Sequence, residues 1–329
     1  MTYFHVDMKR IERILLKSLP VRFLIRKSKQ VSLPGFEGLP LYDVTRFFLQ
    51  QTQQIGLNER AGAIAFNFLM AVPPFFIFVF TLLSNLPGSR KLYEEALILV
   101  RQATPDLSTF HIIKGVMDDF FATGSSLLSF GLLLALYFAS SAMITIMRTF
   151  NKSMLHIETE KRNFLELRWV AIKLTLYIVL LILGTTFVMV TQEQVTTLIT
   201  RWLRMQESDI RWLVQVLRIS LTFTLVFVSI ALIYRYAPSV EKKWKFFSPG
   251  VLLATMLIIG FSMIFSVWVN NVAAYNRVYG SIGSVLILML LIYVNSLVLL
   301  IGFELNVSIN SLKSIAQKRG MQQPGDISD

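Results

Sequence analysis

Hydrophobic positions in this chain gather into six long runs, separated by basic or turn-rich segments. The last two runs set the pattern. Between Lys245 and Arg277 lie 31 uncharged residues, and between Arg277 and Glu304 another 26, whereas about 20 apolar residues suffice to cross a bilayer. We read this pair as a membrane hairpin. Together the runs predict spans near residues 62–84, 127–147, 169–191, 213–234, 246–269 and 280–303. The expected fold is all-α, a polytopic membrane bundle of six transmembrane helices with amphipathic interfacial helices. Residues 61–306 form the membrane domain, 1–60 a basic amphipathic N-terminal region, and 307–329 a tail.

The segments between runs also carry a helical period. Ile11, Ile14, Leu15 and Leu19 share a face with Lys9, Arg10, Arg13 and Lys17 interleaved, as in a helix lying on a membrane surface. After the turn-rich stretch from Leu33 to Pro40, the positions Leu41, Val44, Phe47 and Phe48 predict a second amphipathic helix. In the connection 85–125, Leu92, Ala96, Leu99 and Val100 form one stripe, and Thr104-Pro105-Asp106 opens another helix. These two helices either lie in the outer interface or fold back as a lid. Val195, Leu198, Ile199, Trp202 and Leu203 predict one more interfacial helix.

Composition agrees with the runs: 54% of residues are hydrophobic and only 16% charged, with a mean hydropathy of +0.59. That balance excludes an ordinary soluble domain. Cysteine is absent, so no disulfide framework or thiolate metal site exists. The first run begins near Ala61, too late for a cleaved leader, and the N-terminus is expected to be retained. A net charge of +12 invites a nucleic-acid reading, but the Lys and Arg residues alternate between sides: 22 fall in one set of segments and 8 in the other. This is the positive-inside pattern. It predicts both termini in the cytoplasm and attraction to anionic lipid headgroups, with no nucleic acid as partner.

Polar residues within the apolar runs are the functional candidates, because in lipid they must be paired or face a cavity. In the first span Asn67 and the pair Pro73-Pro74 interrupt the run, and the prolines are expected to kink or break the helix. In the second, small residues from Gly131 to Ala142 permit close helix approach. Lys173 and Arg218, near span ends, read as snorkelling side chains. Arg148, Arg235 and Glu304 end the second, fourth and sixth spans on one side. We expect Glu304 to pair with Arg148 or Arg235, with Asn151 and Asn306 alongside, as a structural clasp or a gate. On the other side Asn270, Asn271, Arg277, Tyr279 and Gly280 fall in the short last loop, where an anionic headgroup would be met.

The segments Tyr234-Arg235-Tyr236-Ala237-Pro238, Ser248-Pro249-Gly250, Tyr279-Gly280-Ser281-Ile282-Gly283 and Gly302-Phe303-Glu304-Leu305-Asn306 resemble, in order and spacing, the YihY/BrkB family of bacterial inner-membrane proteins. Ala61 to Phe66 with Pro73-Pro74, and Arg148-Thr149-Phe150-Asn151, extend the likeness over roughly residues 55–310. One departure is Leu291-Ile292-Tyr293, where relatives often have Trp before the Tyr. The resemblance implies a multi-pass protein of the inner membrane.

Members of that family have been labelled ribonuclease BN, yet the ligands for metal-assisted hydrolysis are missing from the sequence pattern. His5, His111 and His156 stand singly. No phosphate-cradling Gly-rich loop and no Gly-x-Ser-x-Gly elbow occurs. We expect no enzyme activity, cofactor or metal. The leading expectation is a transporter or flippase of a lipid or amphipathic anion, with a cavity lined by Asn67, the proline pair, Arg148 and Arg235. The alternative is a scaffold for envelope assembly that docks partners on its amphipathic helices.

Overall fold

A computed structural model describes residues 26–54, 56–85, 126–154, 162–203, 207–240, 243–271 and 273–321, scattered positions between 90 and 119, and residues 157, 159 and 160. Its principal helices are α1 (Leu41–Gln54), α2 (Leu57–Asn85), α3 (Ser126–Ser153), α4 (Phe164–Leu203), α5 (Glu207–Tyr236), α6 (Pro249–Asn271) and α7 (Ala273–Met321). Among the described residues the protein is all-helical, as the pattern requires, and each expected span falls mainly on one of the helices α2 to α7. Four stretches among the described residues are long and apolar enough to cross a membrane: Leu133–Ser153, Gln215–Tyr236, Pro249–Trp268 and Val285–Ile315. The other two expected spans, on α2 and α4, run into residues whose side chains lie outside the described set.

The helices pack in chain order: α2 on α3, α3 on α4, α4 on α5, α5 on α6 and α6 on α7, and α7 returns to α2. This closes a ring of six. The α2–α3 contact is the most extensive, and it buries Ala61, Ile64 and Ala65 with Ala142, Met143 and Ile146. Small residues let the two backbones approach, as van der Waals packing drives helix association in lipid. At one end of the ring Phe150 of α3 stacks on Phe303 of α7, with ring centroids 3.6 Å apart. Tyr234 of α5 meets Phe303 edge-on, and Trp244 stacks from the α5–α6 connection. Such aromatic pairs add about 0.5–1.5 kcal/mol each beyond burial. Tyr234 completes the junction by donating its hydroxyl proton to Leu299 O at 2.5 Å.

Several boundaries differ from the sequence expectation. The proline pair does not break the first span, because α2 runs unbroken from Leu57 to Asn85. Pro73 and Pro74 delete only the two ladder bonds that would reach the carbonyls of Leu69 and Met70, and the flanking turns hold the helix. The expected interfacial helix at 195–203 is the continuation of α4, whose 40 residues extend about 60 Å at 1.5 Å per residue. The tail is helical as far as Met321. The last loop is likewise short of its expected length: Asn270 and Asn271 end α6, while Arg277, Tyr279 and Gly280 lie in the first turns of α7, with side chains outside the described residues. The helix expected at 9–19, His5 and His156 also lie outside them. His111 is exposed on a helical segment, where Tyr93 donates a hydrogen bond to Asp118.

The N-terminal region is docked on the ring. Val44 of α1 is fully buried and packs with Phe36 and Ile309, so the amphipathic face read from Leu41 to Phe48 meets protein. The turn before it passes through left-handed backbone at Gly35, Glu37 and Gly38. At Gly35 a Cβ would stand 2.8 Å from Pro249 Cγ, which leaves room for glycine alone. Glu37 then receives Lys245 at 2.5 Å and Lys313 at 3.0 Å.

Candidate functional site

The ring end that carries Pro249 and Glu304 holds Arg148, Asn151, Arg235, Glu304 and Asn306, but they do not form one cluster. Asn151 of α3 forms a two-way tie with Ser239: its Nδ2 donates to Ser239 Oγ and its Oδ1 accepts from the Ser239 N–H, both at 3.0 Å. Asn306 of α7 caps α6. Its Oδ1 accepts the Gly250 N–H at 2.9 Å and its Nδ2 donates to Ser248 Oγ at 2.8 Å. Ser248 is the N-cap and Pro249 the first helical residue, so a partner helix supplies an acceptor to a donor that has no intrahelical partner.

The expected ion pair of Glu304 with Arg148 or Arg235 is not formed. Arg148 is exposed, and Glu304, with 0% exposure, faces α1 and α2 instead. Gln51 Nε2 donates to Glu304 Oε2 at 3.0 Å and to Ser153 O at 3.2 Å. Arg60 donates to Ser153 Oγ at 2.9 Å and exerts its charge on Glu304. The reason is register: Arg148 lies a turn and a half before Ser153 on α3 and turns outward. Gln51 and Arg60 were absent from the sequence candidates. One signal was legible for Gln51, which falls seven residues after Val44 on the buried face of α1 and is a polar residue on an apolar stripe.

Asn67 and the prolines do not line either of the two principal cavities. Asn67 Nδ2 donates to Ala63 O of its own helix at 2.9 Å, which satisfies it without a ligand. Pro74 is buried in packing and Pro73 is exposed.

Arg235 does line a cavity, and its companions are new. A space of about 690 Å³ lies between α4, α5 and the segment after α5. Arg162, Lys173, Arg235 and Lys243 supply four cations to its wall, and among the described residues no carboxylate lines it. Lys173 thus faces a cavity in addition to resting 5.1 Å from the Trp169 ring centroid. Leu180, Leu181 and Leu232 form the apolar part. Along α4 the wall passes from Lys173 to Leu180 over about 10 Å. On α5 it passes from Leu232 to Arg235 in the opposite chain direction, so both helices present charge at one end and aliphatic surface at the other. Leu180 is 63% exposed and Tyr177 51%, so the cavity is not closed off there.

Two of the cations have further duties. Arg162 Nη1 donates to the carbonyls of Tyr236 at 3.3 Å and Ala237 at 3.1 Å, and Nη2 to Pro238 at 2.9 Å. It therefore caps the C-terminus of α5, where carbonyls lack partners and the helix dipole favours a cation. Burial pulls its guanidinium below the ordinary arginine value, against the pull of Glu160 and Glu166. Lys243 lies 4.9 Å from the Tyr236 ring centroid. Arg235 Nε is buried with no hydrogen-bond partner.

A closed ring of long apolar helices, tied at one end by buried caps and interhelical hydrogen bonds, defines an integral membrane protein. Residues 48–326 match the family described as Virulence factor BrkB, and the chain belongs to that family. It is 28% identical over 265 residues to a ribonuclease-like protein, YfkH, of Bacillus subtilis, covering 78% of this chain and 92% of that one. It is 23% identical to a UPF0761 membrane protein of Mannheimia succiniciproducens, over 82% of this chain and 90% of that one. A UPF0761 membrane protein of Chromohalobacter salexigens is 26% identical over 75% of this chain and 58% of its own length. No solved structure matches.

Proposed function

We propose that this protein takes an amphipathic anion, foremost a lipid with an anionic headgroup, into the cavity between α4 and α5 and carries it across the membrane as a transporter or flippase. One observation supports the reading above others: among the described residues, four cations and no carboxylate line a cavity whose wall also carries Leu180, Leu181 and Leu232. Phosphate and carboxylate groups are matched by Arg and Lys donors, and acyl chains by leucine. The charge asymmetry of 22 against 8 supports a bacterial inner-membrane location with both termini in the cytoplasm, and on that reading the basic end lies at the cytoplasmic leaflet. The activity is read as non-enzymatic; the ribonuclease-like label belongs to the relative.

Native mass spectrometry from nanodiscs that contain both anionic and zwitterionic phospholipid tests the proposal. The native chain is expected to retain a defined anionic lipid, and a Lys173→Gln/Lys243→Gln chain to lose it, with Arg162 left intact because it caps α5. Reconstituted vesicles should then show movement of that lipid between leaflets. Equal, non-selective lipid retention in both chains would sink the binding claim. Selective binding with no movement would leave a lipid-anchored scaffold for envelope assembly as the better reading.

A further inference from the structure

The polar group around Glu304 has a shortage of donors that the fold does not explain by itself. Glu304 Oε1 and Gln51 Oε1 are both buried, and neither has a hydrogen-bond partner. They belong to side chains already joined on their other atoms, since Gln51 Nε2 donates to Glu304 Oε2. The nearby donors reach neither oxygen. Arg60 gives Nη1 to Ser153 Oγ, and the one Ser153 hydroxyl proton is shared between Thr149 O and the carboxylate. An ionised carboxylate here would hold two buried acceptors unpaired and its charge without a contacting cation, a costly arrangement.

A single proton removes the shortage. On Glu304 Oε1 it would be a donor for Gln51 Oε1, and with Gln51 Nε2 already donating to Oε2 acid and amide would hold each other by two reciprocal hydrogen bonds. A hard metal cation would need about six oxygen ligands, and the described residues bring no three His, Asp or Glu together. The other charged or titratable groups facing Glu304 are few: Arg60 from α2, with its charge acting on the carboxylate, and Tyr234 from α5, whose hydroxyl is given to Leu299 O. From α1 the contact is the neutral Gln51, from α3 Ser153, and α6 contains no charged residue.

We propose that the Glu304–Gln51 pair is a proton-binding site, and that the bound proton holds helix α1 against the ring. Loss of the proton converts a reciprocal pair into a buried anion beside an amide oxygen. Helix α1 is attached to α7 through this pair and the cluster of Val44, Phe36 and Ile309 with Leu39, Leu41, Leu305 and Leu312, and its displacement would admit water or Arg60 to the carboxylate. This inference stands apart from the lipid cavity, which none of these residues lines.

The test uses the full chain in nanodiscs, where the absence of cysteine allows spin labels at R46C and K152C, both exposed positions on α1 and α3. Infrared difference spectra through a pH titration should show the carbonyl band of a buried neutral acid disappearing as pH rises, and no such band in E304Q. Over the same pH range the label-to-label distance should shift in the native chain and stay at its low-pH value in E304Q, whose amide carries the donor the acid carries. A native spectrum indistinguishable from that of E304Q, or a distance that does not change through the titration, overturns the proposal. So does an E304Q chain with α1 already displaced at low pH, since the reciprocal pair should survive that substitution.

Discussion

Gly250 and Gly302 touch backbone to backbone where α6 crosses α7. A Cβ at Gly302 would lie 2.6 Å from Gly250 O, 2.6 Å from the Tyr234 hydroxyl and 2.7 Å from Ala254 Cβ, and one at Gly250 would collide with Gly302 O. The crossing brings Asn306 onto the start of α6 and holds Tyr234 on Leu299 O. Two glycines therefore set the separation on which the ring end depends.

Replacing either glycine by alanine should destabilise the protein by about 1–3 kcal/mol, as overpacking does, because the obstacles are backbone and ring oxygens. Gly260 on the same helix has open space at its Cβ. Gly260→Ala should be neutral or stabilising by up to about 1 kcal/mol through helix propensity. Thermal unfolding of the three variants in one detergent, followed by tryptophan fluorescence, checks the contrast; equal effects would show that the crossing is not the cause.

Asn306→Ala removes the cap from the Gly250 N–H and the tie to Ser248. A cost of about 1–2 kcal/mol is expected, in the range of a lost N-cap and its unsatisfied donor. Asn306→Asp keeps the acceptor but loses the donated bond and puts a carboxylate at a site 2% exposed, so it should recover only part of the stability that alanine loses. Unfolding midpoints of the two variants measure the difference.

Arg162 should tolerate lysine poorly. Its fork reaches three carbonyls, whereas a lysine ammonium is a point donor on a flexible stem. Arg162→Ala is expected to cost about 1.5–3 kcal/mol, as for hydrogen bonds to a charged group, and Arg162→Lys to recover less than half. Hydrogen exchange at the last turn of α5 should rise in the same order.

Glu37 gives the N-terminal turn a pH-dependent hold. Hydrogen bonds from Lys245 and Lys313, with their charges, pull its carboxyl down to about 2 from the ordinary 4.5. A carboxyl lowered on folding contributes stability that is fully present above 4.5 and declines as pH falls toward about 2. Docking of the 33–40 turn should therefore loosen between those values in the native chain and be pH-independent there in Glu37→Gln. Salt should weaken the native contact, since Lys245 is 75% exposed and screening acts on such pairs. Limited proteolysis of the turn across that range, with and without added salt, reads both effects.

The apolar runs, their basic flanks and the family segments from Tyr234 to Asn306 were legible as a membrane bundle, because a run of some 20 uncharged residues has one stable state in lipid and needs no partner to be read. Glycine and asparagine in the last hairpin were legible as positions but not as contacts. Asn151 and Asn306 serve as ties to Ser239 and to the start of α6, and neither meets Glu304. The sequence separation of these partners, 88 residues for Asn151 and Ser239, hides them from any local pattern.

The chain alone determined the helical class, the approximate spans and the side-to-side imbalance of charge, all of which follow from short-range periodicity and composition. Only the tertiary structure decided which polar groups meet. It turned Arg148 outward, brought Gln51 and Arg60 to Glu304, and gathered Lys173, Arg235 and Lys243 with Arg162 around one cavity. Those choices depend on helix rotation and on closure of the ring between α2 and α7, and a rotation of one residue, 100° on a helix, is enough to move a side chain from a buried tie to the lipid.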